Sequence, residues 1–217
     1  SLIHKGISRI RTGYVFDLVA YIMGIALITM IIGFTPTILT STVITLSFPA
    51  LSSIFYEYSW LLINLVIILI ITIIMGIVAL AFKFMGFSAL TKVNEARYGA
   101  ANIGLASIVM AYVLGLLLAA LVTYVLMHIH QFTLKIITPI IILIATIIIL
   151  LITGNTVLLV VLWRLSDDYN TSSLLIGGVL IILSIISGIL GLIGTVVVIM
   201  GLNEVLSRLG SIVVEEG

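Results

Sequence analysis

The sequence predicts an all-α polytopic membrane protein: a transmembrane helix bundle of about five spans, with an interfacial segment between spans 1 and 2. Three observations carry that reading. Of 217 residues, 63% are apolar and only 8% charged, whereas a soluble globular chain carries about a quarter charged residues. The mean hydropathy is +1.46, too high for a surface that faces water. Finally, runs such as residues 65–74 and 140–152 are apolar apart from one threonine each, unlike barrel strands, which alternate between lipid-facing and lumen-facing side chains.

A bilayer core about 30 Å thick needs about 20 apolar helical residues. Residues 1–13 carry Lys5, Arg9 and Arg11 and read as a cytoplasmic amphipathic N-terminus. No small-residue cleavage site follows, so the first apolar stretch reads as a retained span. The spans are expected near 14–34, 60–82, 99–126, 136–163 and 174–202, with 204–217 a short tail. Residues 35–59 hold Pro36, Pro49 and many hydroxyls, too polar for a span. They are expected at the interface, with Phe55, Tyr56, Tyr58 and Trp60 at headgroup level. Segment 174–202 holds 29 residues where two full spans need about 40, so it is expected to form one long tilted helix.

Lys and Arg set the expected sidedness. Seven of them (Lys5, Arg9, Arg11, Lys83, Lys92, Arg97 and Arg164) flank one side, against Lys135 and Arg208 on the other. That places the chain in a plasma membrane with the N-terminus cytoplasmic and the C-terminus outside. Asn170-Thr171-Ser172 is a glycosylation acceptor pattern and points the other way. Tyr14, Tyr98 and Tyr169 each stand in a polar patch before an outward span, the pattern of interfacial tyrosines.

The inventory of chemical groups is sparse. A net charge of +1 without any basic run leaves no footprint for nucleic acid. With no cysteine, thiolate metal sites, clusters and cysteine nucleophiles are excluded. His4, His128 and His130 are placed too badly to face one another as axial haem ligands, so no cofactor and no metal are expected. No phosphate loop or hydrolase motif occurs, so no catalytic residue is assigned and the chain does not read as an enzyme.

Asp17 is the one acid inside an expected span, where it reads as a helix-start acid favoured by the dipole, within reach of Arg11 or Arg97. The other intramembrane polar groups, Asn64, Asn102 and Asn155, read as interhelical hydrogen-bond donors and acceptors. Packing leaves a clearer mark. Gly177, Ser184, Ser187, Gly188, Gly191, Gly194 and Gly201 form a small-residue stripe in a seven-residue register. Such a face is a helix-packing interface, offered either to the chain itself or to a partner. Ala111, Gly115 and Ala119 form a shorter one.

The start His4-Lys5-Gly6-Ile7-Ser8-Arg9, the pair Tyr98-Gly99 and the end Met200-Gly201-Leu202-Asn203-Glu204 resemble a family of uncharacterised multi-pass membrane proteins of Sulfolobales-type archaea, a domain of unknown function. The resemblance spans most of the chain; it implies an archaeal plasma membrane and no catalytic residue. A surplus of isoleucine over leucine, 41 to 36, independently hints at a hot-environment archaeon.

The leading expectation is a non-catalytic integral subunit of a larger assembly, such as a respiratory complex or surface or secretion machinery, in contact with lipid and with other membrane subunits or its own copies. The alternative is a small-solute or ion transporter in which Asp17, Asn102 and Asn155 converge. A further alternative is a self-assembling viral or vesicle membrane protein.

Overall fold

The computed structural model describes residues 1–44, 59–127, 137–184 and 187–215, and those residues are helical apart from short turns. The helices are α1 (Leu2–Ile44), α2 (Ser59–Val93), the single turn α3 (Glu95–Tyr98), α4 (Ala100–Met127), α5 (Ile137–Tyr169), α6 (Ser172–Leu183) and α7 (Gly188–Glu215). Five of them contain stretches long and apolar enough to cross a membrane. Runs of Ile, Leu and Val lack turn signals, and in lipid a helix is the local structure that satisfies every amide.

The chain folds as three antiparallel hairpins, α1–α2, α4–α5 and α6–α7, with α7 packed on α1 and α6 on α5. Each hairpin closes on a reciprocal pair of glycines. A Cβ on Gly86 would lie 2.7 Å from the carbonyl oxygen of Gly6, and one on Gly6 3.1 Å from that of Gly86. The corresponding distances are 2.9 and 2.8 Å for Gly104 and Gly154, and 2.8 Å both ways for Gly177 and Gly194. Lipid tails are as apolar as leucine, so helices associate in the membrane by close packing, and small residues permit it.

Several expected boundaries move. α1 begins at Leu2, so residues 1–13 are its first turns, and Ile7 and Ile10 are fully buried in the core. At its other end α1 continues through Pro36 to Ile44, so residues 35–44 extend that helix; Pro49, Phe55, Tyr56 and Tyr58 lie outside the described residues, and Trp60 is in the first turn of α2. α2 runs to Val93, which puts Lys83 about 15 Å inside it rather than in a flank. Residues 204–215 belong to α7.

The larger correction concerns the fifth span. Residues 174–202 hold two antiparallel helices, α6 and α7, not one tilted helix. α6 has 12 residues, about 18 Å, a little over half the depth of a bilayer core. Its contacts with α7 pair Leu174 with Gly201, Gly177 with Val198 and Ser184 with Gly191. Each pair is centred on the junction of residues 187 and 188. A seven-residue register is preserved equally by translation along one helix and by reflection about a tip, and here it arises by reflection. The Leu190 amide donates to the Ser187 carbonyl at 3.0 Å as α7 begins.

The hairpin returns the chain to the end of the bundle where it began. Arg11 Nη1 in α1 donates to Asn203 Oδ1 in α7 at 3.0 Å, and Arg208 Nη1 donates to the Tyr169 carbonyl at 2.6 Å. At the same end Arg97 Nε meets Asp168 Oδ2 at 2.8 Å, Tyr98 donates its hydroxyl to Asp168, and Arg164 Nη1 reaches the Arg97 carbonyl at 2.7 Å. The later part of α7 therefore lies beside the start of α1, whereas a single crossing by residues 174–202 would have separated the two. Eight of the nine Lys and Arg residues stand on this polar half; the ninth, Lys135, lies outside the described residues.

The buried core also lies toward the polar end, around Ile7, Ile10, Phe87, Leu90, Leu105, Leu162, Leu165, Leu174, Leu202 and Val205. The far halves of α1, α2, α4 and α5 are apolar and exposed, as at Ile28, Ile70, Leu116 and Ile149. Asn170, with φ 52°, makes the tight turn from α5 to α6. Asparagine tolerates the left-handed region better than most residues, and Ser166 Oγ secures the turn by donating to the Thr171 carbonyl at 2.6 Å.

Candidate functional site

The most unusual chemistry of the described residues lies between α1 and α2. Lys83 Nζ donates to Asp17 Oδ2 in a close ion pair, and the ammonium also sits 4.0 Å from the centre of the Tyr14 ring. Lys83 and Tyr14 are buried, and the Asp17 side chain is only 22% exposed. Gly13 makes the arrangement possible: a Cβ there would fall 2.7 Å from Lys83 Cγ and 2.9 Å from the Ala79 carbonyl oxygen. Stacked Phe16 and Phe82 rings, 5.6 Å between centroids, pack beside the pair.

The tip of the α6–α7 hairpin meets the next turn of α1. A Cβ on Gly191 would lie 2.7 Å from Ser184 Cβ and 2.9 Å from the Tyr21 ring, so Tyr21 and Ser184 both pack on that glycine. From the other hairpin, Tyr112 of α4 approaches Gly76 of α2. A carboxylate, an ammonium, two phenols and a serine thus lie along α1 between the Lys83 contact and the end of α6. Ionisable groups at such depth are costly and commonly mark ion or proton pathways, and carriers often place polar sites at interrupted helices.

This site revises the expectation for Asp17. The residue is about 22 Å from the start of α1, so the helix dipole does not account for it. Its partner is Lys83, while Arg11 binds Asn203 and Arg97 binds Asp168. The asparagines sit elsewhere. Asn155 Nδ2 donates within its own helix to the Leu151 carbonyl at 2.9 Å. Asn102, in the first turn of α4, keeps a buried Oδ1 without a hydrogen-bond partner, and Asn64 is exposed on α2. Asp17 is therefore joined by a lysine and tyrosines, with Asn102 and Asn155 on the neighbouring hairpin.

The stripe residues divide. Gly177, Gly191, Gly194 and Gly201 are buried between α6 and α7 or against Tyr21, and Ser184 packs on Gly191. Ser187 is partly exposed at the turn, and a Cβ added to Gly188 would have open space for 4 Å around it. Of the shorter stripe, Ala111 is buried, whereas Gly115 faces open space. His128 and His130 lie outside the described residues; among the described residues no group of three metal-ligating side chains occurs.

Sequence reasoning missed Lys83 as a site residue, because the apolar run seemed to end at Phe82. It also missed Gly6, Gly13, Gly86, Gly104 and Gly154. Gly6 and Gly13 are seven apart on α1, a register that could have revealed that face.

The fold and this polar centre define a helical protein with several apolar helices able to span a membrane. Over residues 4–216 the chain matches the family described as Protein of unknown function (DUF973), and it belongs to that family. No curated protein and no solved structure matches it.

Proposed function

We propose that this protein is a membrane carrier or channel for a proton or a small monovalent cation, with Asp17 and Lys83 as its central groups. The observation that supports this most is the ion pair beside the end of a half-depth hairpin. In the resting arrangement Lys83 neutralises Asp17 and acts as a built-in cation. A proton or cation that reaches Asp17 competes for the carboxylate, and the displaced ammonium stays over the Tyr14 ring, whose face attracts positive charge. Tyr21 and Ser184 supply hydroxyls on the hairpin side. No catalytic or cofactor role is proposed for any residue.

The charge distribution supports an orientation with both termini cytoplasmic in a plasma membrane, since Lys and Arg gather at one end. Isoleucine richness and the absence of cysteine agree with an archaeal source. A second reading, a non-catalytic integral subunit of a larger assembly, is favoured by the broad apolar faces on the far halves of α1, α2, α4 and α5. The small-residue stripe no longer supports it, because most of that stripe packs inside the α6–α7 hairpin.

The test is ion flux in proteoliposomes under imposed proton, sodium and potassium gradients. Wild-type protein is expected to conduct above empty vesicles, and Asp17→Asn to fall to the empty-vesicle level. The exchange Asp17→Lys with Lys83→Asp is expected to keep the fold while altering flux. Wild-type vesicles indistinguishable from empty ones for all three ions would overturn the proposal in favour of the subunit reading.

A further inference from the structure

Eight Lys and Arg residues are described, and five of them are engaged within the protein. Arg11 binds Asn203, Lys83 binds Asp17, Arg97 binds Asp168, Arg164 binds backbone carbonyls and Arg208 binds Glu204. Among the described residues, Lys5, Arg9 and Lys92 form no ion pair and no side-chain hydrogen bond. Those three line one cleft of about 280 Å³ in the groove between α1 and α2 at the polar end. No carboxylate lines it.

The cleft is also mixed in character. Lys5 and Arg9 are one helical turn apart on α1, and Lys92 lines the same cleft from the last turn of α2. Ser88 lies one turn further in, and Phe84 and Met85 about two turns in. Phe84 is 55% and Met85 40% exposed on the side continuous with the apolar surface of α2. The cleft thus sets three cations and a hydroxyl beside uncovered apolar side chains, Leu2 among them, the two kinds of surface that a phospholipid's headgroup and acyl chain complement.

We infer that this cleft binds the phosphate headgroup of an anionic membrane lipid, with Lys5, Arg9 and Lys92 around the phosphate, Ser88 as a hydroxyl donor and an acyl chain along Phe84 and Met85. Basic pockets between membrane helices on the cytoplasmic side hold anionic headgroups in this way. A free anion would gain nothing from the apolar floor, so the occupant is a lipid. This site is separate from the Asp17–Lys83 pair and does not depend on any transport activity.

The experiment is native mass spectrometry and thermal unfolding of the full chain, with phosphatidylglycerol or phosphatidylcholine supplied in detergent. Wild-type protein is expected to retain one phosphatidylglycerol in preference to phosphatidylcholine and to melt at higher temperature with it. Lys92→Gln should weaken retention about fivefold, and Lys5→Gln with Arg9→Gln and Lys92→Gln by well over about tenfold. Arg208→Gln, which removes one charge from the same end, should leave retention unchanged. Lys92 is exposed at a helix end, so that single variant reports on binding even where the triple variant unfolds. Equal retention of the two lipids, or retention unaffected by Lys92→Gln, would refute the site. Protection by inorganic phosphate equal to that by phosphatidylglycerol would refute the lipid as its occupant.

Discussion

Asp17 and Lys83 form an ion pair in which both side chains are largely withdrawn from water. Taking two charges out of water costs several kcal/mol per ion, and their attraction offsets that only at close range. Removing one partner leaves the other buried and uncompensated, so Asp17→Asn or Lys83→Met should each cost about 3–5 kcal/mol. Replacing both, as Asp17→Leu with Lys83→Met, should restore much of the loss because two apolar groups then fill the same volume. Unfolding of the four proteins in detergent measures the cycle. Single-variant losses that add up in the double variant would mean that the two residues do not interact. At this scale the sequence is half legible. Asp17 stands out as an acid in an apolar run, but Lys83 follows Phe82 at the edge of such a run and looks like a flank. Only the crossing of α1 and α2 at Gly6, Gly13 and Gly86 brings the two to one level.

The helices themselves are visible in the sequence as apolar runs, because lipid leaves the backbone few alternatives. Their partners are not, since a uniformly apolar helix advertises no preferred face. Glycine is the exception, and the three reciprocal pairs show where backbones touch. For α6 and α7 the register of small residues is legible and its geometry is not, because Ser184 and Ser187 resemble other stripe positions rather than a turn. This makes a sharp prediction for the hairpin. Gly194→Leu would drive a side chain against the Gly177 carbonyl and the Ile181 amide, both 2.8 Å from a Cβ at that position. Overpacking of this kind costs about 1–3 kcal/mol. Gly188→Leu meets open space and should be neutral within about 0.5 kcal/mol apart from local helix propensity. Thermal stability of the two variants in one detergent compares them directly. Equal loss from both would mean that α6 and α7 are not seated as described.

Across the whole molecule the placement of charge and the path of the chain agree. Counting Lys and Arg along the sequence puts seven of nine on one side and leaves Arg208 as an exception that forces the termini apart. With α6 and α7 paired, Arg208 lies beside Tyr169 and joins the majority, so the exception disappears once the last segment turns back. α1 and α2 form one antiparallel pair, α4 and α5 a second, and α6 and α7 a third in which α6 is only about 18 Å long. The chain has no cysteine, so single cysteines can report this path without background. Ser8→Cys, Ser88→Cys and Ser207→Cys are expected to react with a membrane-impermeant maleimide from the same face of oriented vesicles. Ser187→Cys, at the inner tip, should resist the reagent from that face while the hairpin is packed. If α7 instead crossed the bilayer completely, Ser207→Cys would react only from the face opposite Ser8→Cys. That result would remove the half-depth hairpin, and with it the reason for placing an ion site where Tyr21 meets Ser184.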